Sequence, residues 1–168
     1  LPGVTRVVPL ESAVAVVGKT YWHALQGLKA LRPAWDVAQG SRDSGNDIAA
    51  VLREATTGEG IVGKATGDPA PAFAAASKVV EATYEAPFLA HMCMEPMNAT
   101  VRISGDRAEV WAPTQAETDT AVAVAKVLGL PPDNVTVHTT FMGGGFGRRT
   151  GTDFAVQAAG VARAAGTP

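Results

Sequence analysis

A strand, a glycine-rich loop and a helix follow one another in residues 135–165, VTVHTTFMGGGFGRRTGTDFAVQAAGVARAA. The β-branched and apolar residues at 135–139 predict the strand. Four of the five residues 143–147 are glycine, which loses more conformational freedom on folding than any other residue. Such a run is expected where the backbone needs positive φ or lies directly against a neighbour. Thr152 or Asp153 can then begin the helix.

The loop carries two arginines, Arg148 and Arg149, directly after its last glycine. Backbone N–H groups in such a turn, and at the start of the following helix, attract anions, and arginine makes bidentate hydrogen bonds to oxyanions. The loop therefore predicts an anion-binding site. A structural turn between strand and helix is the alternative. The dinucleotide-binding pattern G-x-G-x-x-G does not fit, because Arg148 stands at its last position.

Gln115 is a second candidate, placed between a predicted hairpin and a predicted helix. The hairpin has strands at 99–103 and 108–111, and the helix spans 118–128. A neutral amide at this point can hydrogen-bond a ligand such as an oxo group, or it can be a helix cap or an exposed turn residue. The residues of the helix expected to face inward are Ala121, Val122, Ala125 and Leu128.

The first part of the chain is predicted to form two strands and a helix. The strands are expected at 4–10 and 13–17. The helix can be capped by Thr20 and is stopped by Pro33, which removes a hydrogen-bond donor. Its predicted apolar face consists of Trp22, Leu25, Leu28 and Leu31.

The middle of the chain has the weakest pattern. Residues 37–47 are polar and rich in Gly, Ser and Asp, which is typical of a loop. Asn46 or Asp47 can cap a short helix that ends at Ala55. The apolar face of this helix is predicted to consist of Ile48, Val51 and Leu52.

Two strands are also predicted in the middle of the chain. A short one is expected near Ile61, within a loop over 56–71. The alternation over 78–85 predicts a half-buried strand with Val80, Ala82 and Tyr84 on one face. All predicted elements together indicate an α+β fold, with mixed and antiparallel sheets packed against helices.

Composition excludes several classes of protein. Apolar residues make up 46% and charged residues 18% of the 168 residues, which argues against a wholly disordered chain. The net charge of −2 argues against nucleic-acid binding, which needs clustered positive charge. Cys93 is the single cysteine, so no disulfide within the chain and no four-cysteine zinc site is expected. No apolar run approaches the ~20 residues that cross a bilayer, so no membrane span is expected.

Two further motifs have ordinary explanations. Residues 91–97, HMCMEPM, contain soft ligands suited to Cu(I), but neighbours on a strand point to opposite faces, so a partly buried strand with methionine as a gap filler is favoured. Glu95 in this stretch could be a buried, hydrogen-bonded carboxylate. Residues 58–65 nearly match a phosphate-binding loop, but Ala65 lacks the hydroxyl that binds Mg²⁺, and the match is interpreted as coincidence.

Three separated motifs together resemble one family. They are AHMCMEPMNA at 90–99, VWAPTQ at 110–115 and GGGFGRR at 143–149. In combination they resemble the molybdenum-binding subunit of the xanthine dehydrogenase/aldehyde oxidase family. The strings EPMNAT and GGGFGRR most resemble the isoquinoline 1-oxidoreductase beta-subunit branch of that family.

The resemblance implies a division of the chain into domains. Residues 1–36 would be the end of an α/β hammerhead domain, and residues 37–77 a connecting segment. Residues 78–168 would be the N-terminal part of a molybdenum-cofactor-binding domain.

The resemblance also implies a chemistry. Such hydroxylases carry molybdopterin cytosine dinucleotide with molybdenum and oxidise an N-heterocycle or an aldehyde with oxygen from water. Electrons pass to iron–sulfur clusters on a small partner subunit. Gln115 would hydrogen-bond an oxo ligand, Phe146 and its glycine neighbours would lie against the metal and pterin, and Arg148 would help to hold the cofactor. The implied cofactor-binding residues, none of them a direct metal ligand, are Gln115, Gly144, Gly145, Phe146, Gly147 and Arg148.

The chain departs from the family pattern in two places. Purine-hydroxylating relatives carry a glutamate soon after the glycine loop, where this chain has Thr150, so the substrate stays open. The family's general base is a glutamate near the C-terminus of the subunit, expected beyond Pro168, so no catalytic residue is expected here. Both ends read as cut, and such a fragment alone is expected to be inactive. The alternatives are a non-catalytic anion- or nucleotide-binding module that uses the glycine loop, and a structural domain.

Overall fold

The computed structural model describes residues 1–37, 40 and 42–166. It divides the chain into two compact units. The larger unit joins Leu1–Ala34 to Ala90–Pro168, and the middle unit is Trp35–Leu89. Helices occur together with an antiparallel and a mixed sheet, so the predicted α+β class is confirmed.

The larger unit begins with a hairpin and a helix, as predicted. Strands β1 (Val4–Pro9) and β2 (Val14–Gly18) pair antiparallel, and helix α1 (Tyr21–Ala30) follows. The Thr20 hydroxyl caps α1 by accepting a hydrogen bond from the backbone N–H of His23 at 3.4 Å.

The predicted apolar face of α1 is partly buried at Leu25 and Leu31 but wrong at Trp22 and Leu28. Trp22 and Leu28 are 63% and 52% exposed, whereas Gly27 is buried. A Cβ at Gly27 would lie 2.7 Å from Val16 Cγ1 and 2.9 Å from Val4 Cγ2. The helix therefore contacts the hairpin at Gly27. Glycine is needed there because the close approach of the hairpin leaves no room for a side chain.

The larger unit also contains a three-stranded sheet in the order β3-β4-β5. Strands β3 (Thr100–Ser104) and β4 (Arg107–Ala112) form the predicted hairpin. Helix α4 (Glu117–Leu128) then crosses to β5 (Val135–Thr139), which pairs parallel with β4. Gly129 ends α4 with a φ of 72°, the left-handed cap that glycine favours.

Helix α5 (Asp153–Ala165), also predicted, packs with α4 on the sheet. Val122, expected to face inward, is 49% exposed, and Val124 is fully buried in its place. The predicted register of α4 is therefore wrong at that position. The buried hydrophobic core consists of Val101, Ala108, Val110, Ala112, Val124, Ala125, Val135, Phe154, Ala155 and Ala159.

The first hairpin and α5 are in contact. The Arg6 guanidinium donates a hydrogen bond to the carbonyl oxygen of Ala164 at 2.5 Å. A Cβ at Gly160 would lie 3.2 Å from Leu10 Cδ2. These contacts place residues 1–34 and the sheet in one compact unit.

The middle unit contains helices α2 (Gly45–Ala55) and α3 (Ala70–Ala75). Ser44, not the predicted Asn46 or Asp47, caps α2, and the Asp47 carboxylate completes a capping box with Ser44. The predicted apolar face of α2 is exposed: Ile48 by 40%, Val51 by 65% and Leu52 by 54%.

The two strands predicted in the middle unit are wrong. Neither Ile61 nor any residue of 78–85 belongs to a strand, and α3 begins at Ala70, within the loop expected over 56–71. Val80 and Tyr84 are 78% and 92% exposed. A strand needs a neighbouring strand to pair its backbone groups, and the described residues of this unit supply none. Within the described chain, no helix combines the length and apolar character needed to cross a bilayer.

Candidate functional site

Gln115 and the glycine loop (residues 141–149) lie beyond the same edge of the sheet. Strands β4 and β5 are parallel, with Ala112 paired with Thr139 at their carboxyl ends. Gln115 follows β4, and the glycine loop follows β5. Parallel strands commonly place ligand-binding loops at their carboxyl ends.

Gln115 packs directly on Gly145. A Cβ at Gly145 would lie 2.7 Å from Gln115 Oε1 and 2.8 Å from its Cδ. Only glycine leaves room for the amide at this point. Gln115 is exposed, and no hydrogen bond within the described chain uses its side-chain amide. The amide is therefore available to a ligand.

The glycine loop also presents free backbone donors. Among the residues that the structure describes, no hydrogen bond uses the N–H of any residue from 144 to 147. The N–H of Gly143 differs, because it donates to Glu95 Oε2 at 2.9 Å. Adjacent free N–H groups form a concave donor surface for an anion.

Phe146 adopts a conformation unusual for its residue type. Its φ is +52°, and it lies between Gly144 at +100° and Gly147 at +80°. The left-handed region costs a non-glycine residue about 1–2 kcal/mol, and such strain clusters at functional sites. A Cβ at Gly144 would lie 3.1 Å from Phe146 Cε2, so the ring lies over that glycine while remaining 70% exposed.

Arg148 is half-buried and paired with the first residue of α5. Its guanidinium donates to both oxygens of Asp153, at 2.9 and 2.8 Å. The hydrogen bonds from Arg148 hold the pKa of Asp153 below its ordinary value, and Asp153 raises the pKa of Arg148. Asp153 thus neutralises part of the positive charge of Arg148 that the sequence predicted to be available to an anion.

Arg149 is not part of the exposed anion surface that the sequence predicted. Its side chain is fully buried. It donates to the carbonyl oxygen of Gly144 at 2.7 Å, and to the carbonyl and carboxylate oxygens of Glu95 at 2.9 and 2.8 Å. The two neighbouring arginines therefore have different surroundings, which their sequence does not distinguish.

Glu95, whose role the sequence left open, is the ion-pair partner of the buried Arg149. Its carboxylate accepts hydrogen bonds from Gly143, Arg149 and Asn98 and is about 30% exposed. The backbone N–H of Gly143, then Asn98, lowers its pKa below the ordinary glutamate value. The interpretation as hydrogen-bonded is confirmed, but the carboxylate is only partly buried. No sequence signal links Glu95 to Arg149, because 54 residues separate them.

The rest of the 91–97 stretch does not form the predicted strand. Met92 and Met94 are 82% and 94% exposed, so they fill no gap in a core. Irregular backbone here lets Cys93 approach the glycine loop, with Sγ 3.5 Å from the carbonyl oxygen of Gly145. Among the described residues, no three His, Cys, Asp or Glu side chains converge to hold a metal ion.

Comparison with known proteins identifies the class of this domain. Residues 54–168 match the family model of the molybdopterin cofactor-binding domain, and the chain belongs to that family. The resemblance seen in the three sequence motifs is confirmed.

Individual relatives agree with this assignment. Isoquinoline 1-oxidoreductase subunit beta of Brevundimonas diminuta is 30% identical over 182 residues, covering 99% of this chain and 22% of that protein. Aldehyde oxidoreductase molybdenum-binding subunit PaoC of Escherichia coli K12 is 34% identical over 84 residues, covering 50% and 12%. A membrane-bound aldehyde dehydrogenase [pyrroloquinoline-quinone] of Gluconacetobacter polyoxogenes is 28% identical over 159 residues, covering 94% and 21%. The chain thus spans about a fifth or less of these curated relatives.

Proposed function

We propose that this chain is part of the molybdenum-binding subunit of a molybdenum hydroxylase that oxidises an N-heterocycle or an aldehyde. The observation that carries the proposal is the unpaired amide of Gln115, packed on Gly145 beside the free N–H groups of residues 144–147. The names of the isoquinoline- and aldehyde-oxidising relatives support the substrate class.

The residues present fit a molybdopterin cofactor. Its ring system is broad and flat, and the loop is open at Gly147, where a Cβ would meet no atom within 4 Å. Its phosphates are anionic, and free N–H groups bind such oxygens. We assign Gln115, Gly144, Gly145, Phe146, Gly147 and Arg148 to cofactor binding, in the cytosine dinucleotide form.

The protein residues would bind and orient the cofactor. Gln115 can donate to an oxo ligand through Nε2, and the exposed ring of Phe146 can cover the cofactor and exclude water. Arg148 keeps donors that Asp153 does not use and can give them to the cofactor. When bound, the cofactor supplies the redox chemistry that adds oxygen from water to an electron-poor carbon.

Other parts of the enzyme are assigned outside this chain. The general base is proposed to be a glutamate beyond Pro168, and the electron acceptor a small iron–sulfur subunit. We keep residues 1–36 as the end of a hammerhead domain, 37–77 as a connecting segment and 78–168 as the start of the cofactor domain. Thr150 donates to the carbonyl oxygen of Gly147 at 2.7 Å and offers no carboxylate for a purine.

The test uses the complete enzyme co-expressed with its partner subunit. We expect molybdenum and pterin to copurify with it, acid treatment to release a cytosine nucleotide, and an N-heterocycle or aldehyde to be oxidised with oxygen from ¹⁸O-labelled water. Gln115→Leu should lower the molybdenum content about tenfold and lose most turnover, while Gln157→Leu on α5 serves as the control. A complex purified with its partner but without molybdenum would refute the proposal.

A nucleotide-binding module without catalysis is the second candidate, favoured by the same free N–H groups. The burial of Arg149 weakens it, because only one loop arginine is left for a phosphate. Thermal unfolding of the chain with added nucleotide separates the two. A clear rise of the melting temperature at micromolar nucleotide would favour this second candidate.

A further inference from the structure

Three consecutive carbonyl groups of the glycine loop, those of Gly143, Gly144 and Gly145, accept hydrogen bonds. The carbonyl of Gly143 accepts from the N–H of Glu95 at 3.2 Å, and that of Gly145 accepts from the N–H of Arg148 at 2.8 Å. The carbonyl of Gly144, between them, accepts from Arg149 Nε at 2.7 Å. Three consecutive peptide groups are therefore anchored by their oxygens.

Anchoring the oxygens determines where the N–H groups point. The described residues contain no cis peptide bond. In a trans peptide the C=O and N–H of one planar group point in opposite directions. The N–H groups of Gly144, Gly145 and Phe146 are therefore turned away from the residues that hold the carbonyls. These N–H groups are among the free donors of the loop.

Arg149 also holds the backbone of Gln115. Its carbonyl oxygen accepts from the N–H of Gln115 at 3.0 Å and from the hydroxyl of Thr114 at 3.2 Å. Thr114 is buried and shares a hydrogen bond with Thr120 on α4 at 3.0 Å. Residue 149 thus holds the main chain of Gln115 through its backbone carbonyl, and the peptide that follows Gly144 through its arginine side chain.

Glu95 makes this arrangement of the buried arginine possible. A buried guanidinium is stable only when its charge is paired and its donors are used, and Glu95 accepts from it through both carbonyl and carboxylate. The same carboxylate accepts from Gly143 at the start of the loop. Arginine suits this place because the donors of its planar fork are rigidly spaced and reach oxygens on both Gly144 and Glu95, whereas a lysine ammonium is a compact point charge.

We infer that Arg149, paired with Glu95, is a positioning residue: its side chain aims the N–H of Gly145 at the cofactor and, through Glu95, that of Gly144. The inference rests on the proposed function. Arg149 acts through the loop and does not touch the cofactor, whereas Arg148 is the arginine assigned to contact it.

The test compares Arg149→Lys with Val124→Ala in the complete, partner-bound enzyme. Lysine keeps the charge but not the fork, so we expect molybdenum and pterin per polypeptide to fall about tenfold after dialysis, the scale seen when groups that orient metal ligands are altered. Val124 is a buried core residue away from the loop. Val124→Ala should therefore lower the melting temperature without touching the site. Arg102→Lys, in the exposed pair with Glu109, controls for the substitution type.

The outcomes separate the inference from the function it rests on. If Arg149→Lys retains as much molybdenum as a Val124→Ala enzyme of equal or lower melting temperature, the positioning role is wrong and the proposed function stands. If the unchanged enzyme holds no molybdenum, both are overturned. Should Arg149→Lys not fold, Glu95→Gln replaces it, with a smaller loss of cofactor expected and equal retention again overturning the inference.

Discussion

Glycines are concentrated in two segments of this chain, 58–67 in the middle unit and 143–147 in the glycine loop. The first segment is exposed, and none of its glycines is packed against a neighbour, although Gly67 has a φ of +77°. A Cβ would meet no atom within 4 Å at Gly58, Gly60 or Gly63.

In the second segment, neighbouring atoms fill the space that a side chain would take at Gly143, Gly144 and Gly145, while Gly147 is open. A Cβ at Gly143 would lie 2.5 Å from the Cβ of Glu95, and one at Gly145 would lie 2.7 Å from Gln115 Oε1. Both segments contain four glycines, but the packing of these glycines differs. Glycine content alone therefore does not identify a site, whereas the atoms against each glycine do.

The largest expected effect is that of Gly143→Ala. The new methyl group would collide with the Cβ and backbone N of Glu95, neither of which can move freely. Overpacking of this kind costs about 2 kcal/mol, and the displaced Glu95 would also release Arg149. Urea unfolding of the chain measures the loss. A loss no larger than that of Gly63→Ala would remove the distinction between the two segments.

Gly145→Ala should separate function from stability. Its methyl group would meet the end of the exposed Gln115 side chain, which can swing away at little cost. We expect the free energy of unfolding to change by less than about 0.5 kcal/mol, while molybdenum content falls about tenfold.

A double variant that combines Gly145→Ala with Gln115→Ala identifies how Gly145→Ala acts. If it acts by displacing the amide, adding it to Gln115→Ala should cost little further cofactor, because the two changes affect one contact. Fully additive losses would show that the methyl group obstructs the cofactor itself.

The contribution of Glu95 should depend on pH. Its folded-state pKa is lowered, chiefly by the N–H of Gly143, so its ionised form stabilises the fold above the unfolded pKa. This contribution to stability is lost as the pH falls through the pKa that Glu95 has in the folded state. We expect the stability difference between the chain and Glu95→Gln to be constant near neutral pH and to shrink in acid. A difference that does not change with pH would refute a role for the charge.

The smallest expected effect is that of Gly63→Ala. The site is open and its φ lies outside the left-handed region, so alanine fits without strain. Restricting the unfolded chain should leave stability unchanged or raise it by about 0.5 kcal/mol. Thermal unfolding and molybdenum content both check this. A clear loss of either would mean that the first glycine segment is packed after all.

Local patterns predicted most of the larger unit. The hairpin 99–111, the helix that ends at Gly129 and the strand–loop–helix 135–165 formed as expected. Each is predicted from features of residues close in sequence, namely apolar–polar alternation, turn residues and helix caps. The same reasoning failed over 78–85, where alternation found no neighbouring strand.

The faces of helices were less predictable. Trp22 satisfied the apolar spacing of α1, yet the helix packs through Gly27 because Val4 and Val16 approach it closely. In α4, likewise, Val124 is buried where Val122 was expected to be. Periodicity identifies a helix, but the direction in which it packs depends on the partner surface.

The class of fold, the glycine loop and the family to which the three motifs belong all follow from the sequence. Which arginine is buried, which glycines have no room for a side chain and that Gln115 packs on Gly145 follow only from the folded chain. The reason is physical: the contacts that decide this join Glu95 to Gly143 and Arg149, 48 and 54 residues along the chain. Separations of that length become neighbours only when the sheet and its helices are assembled.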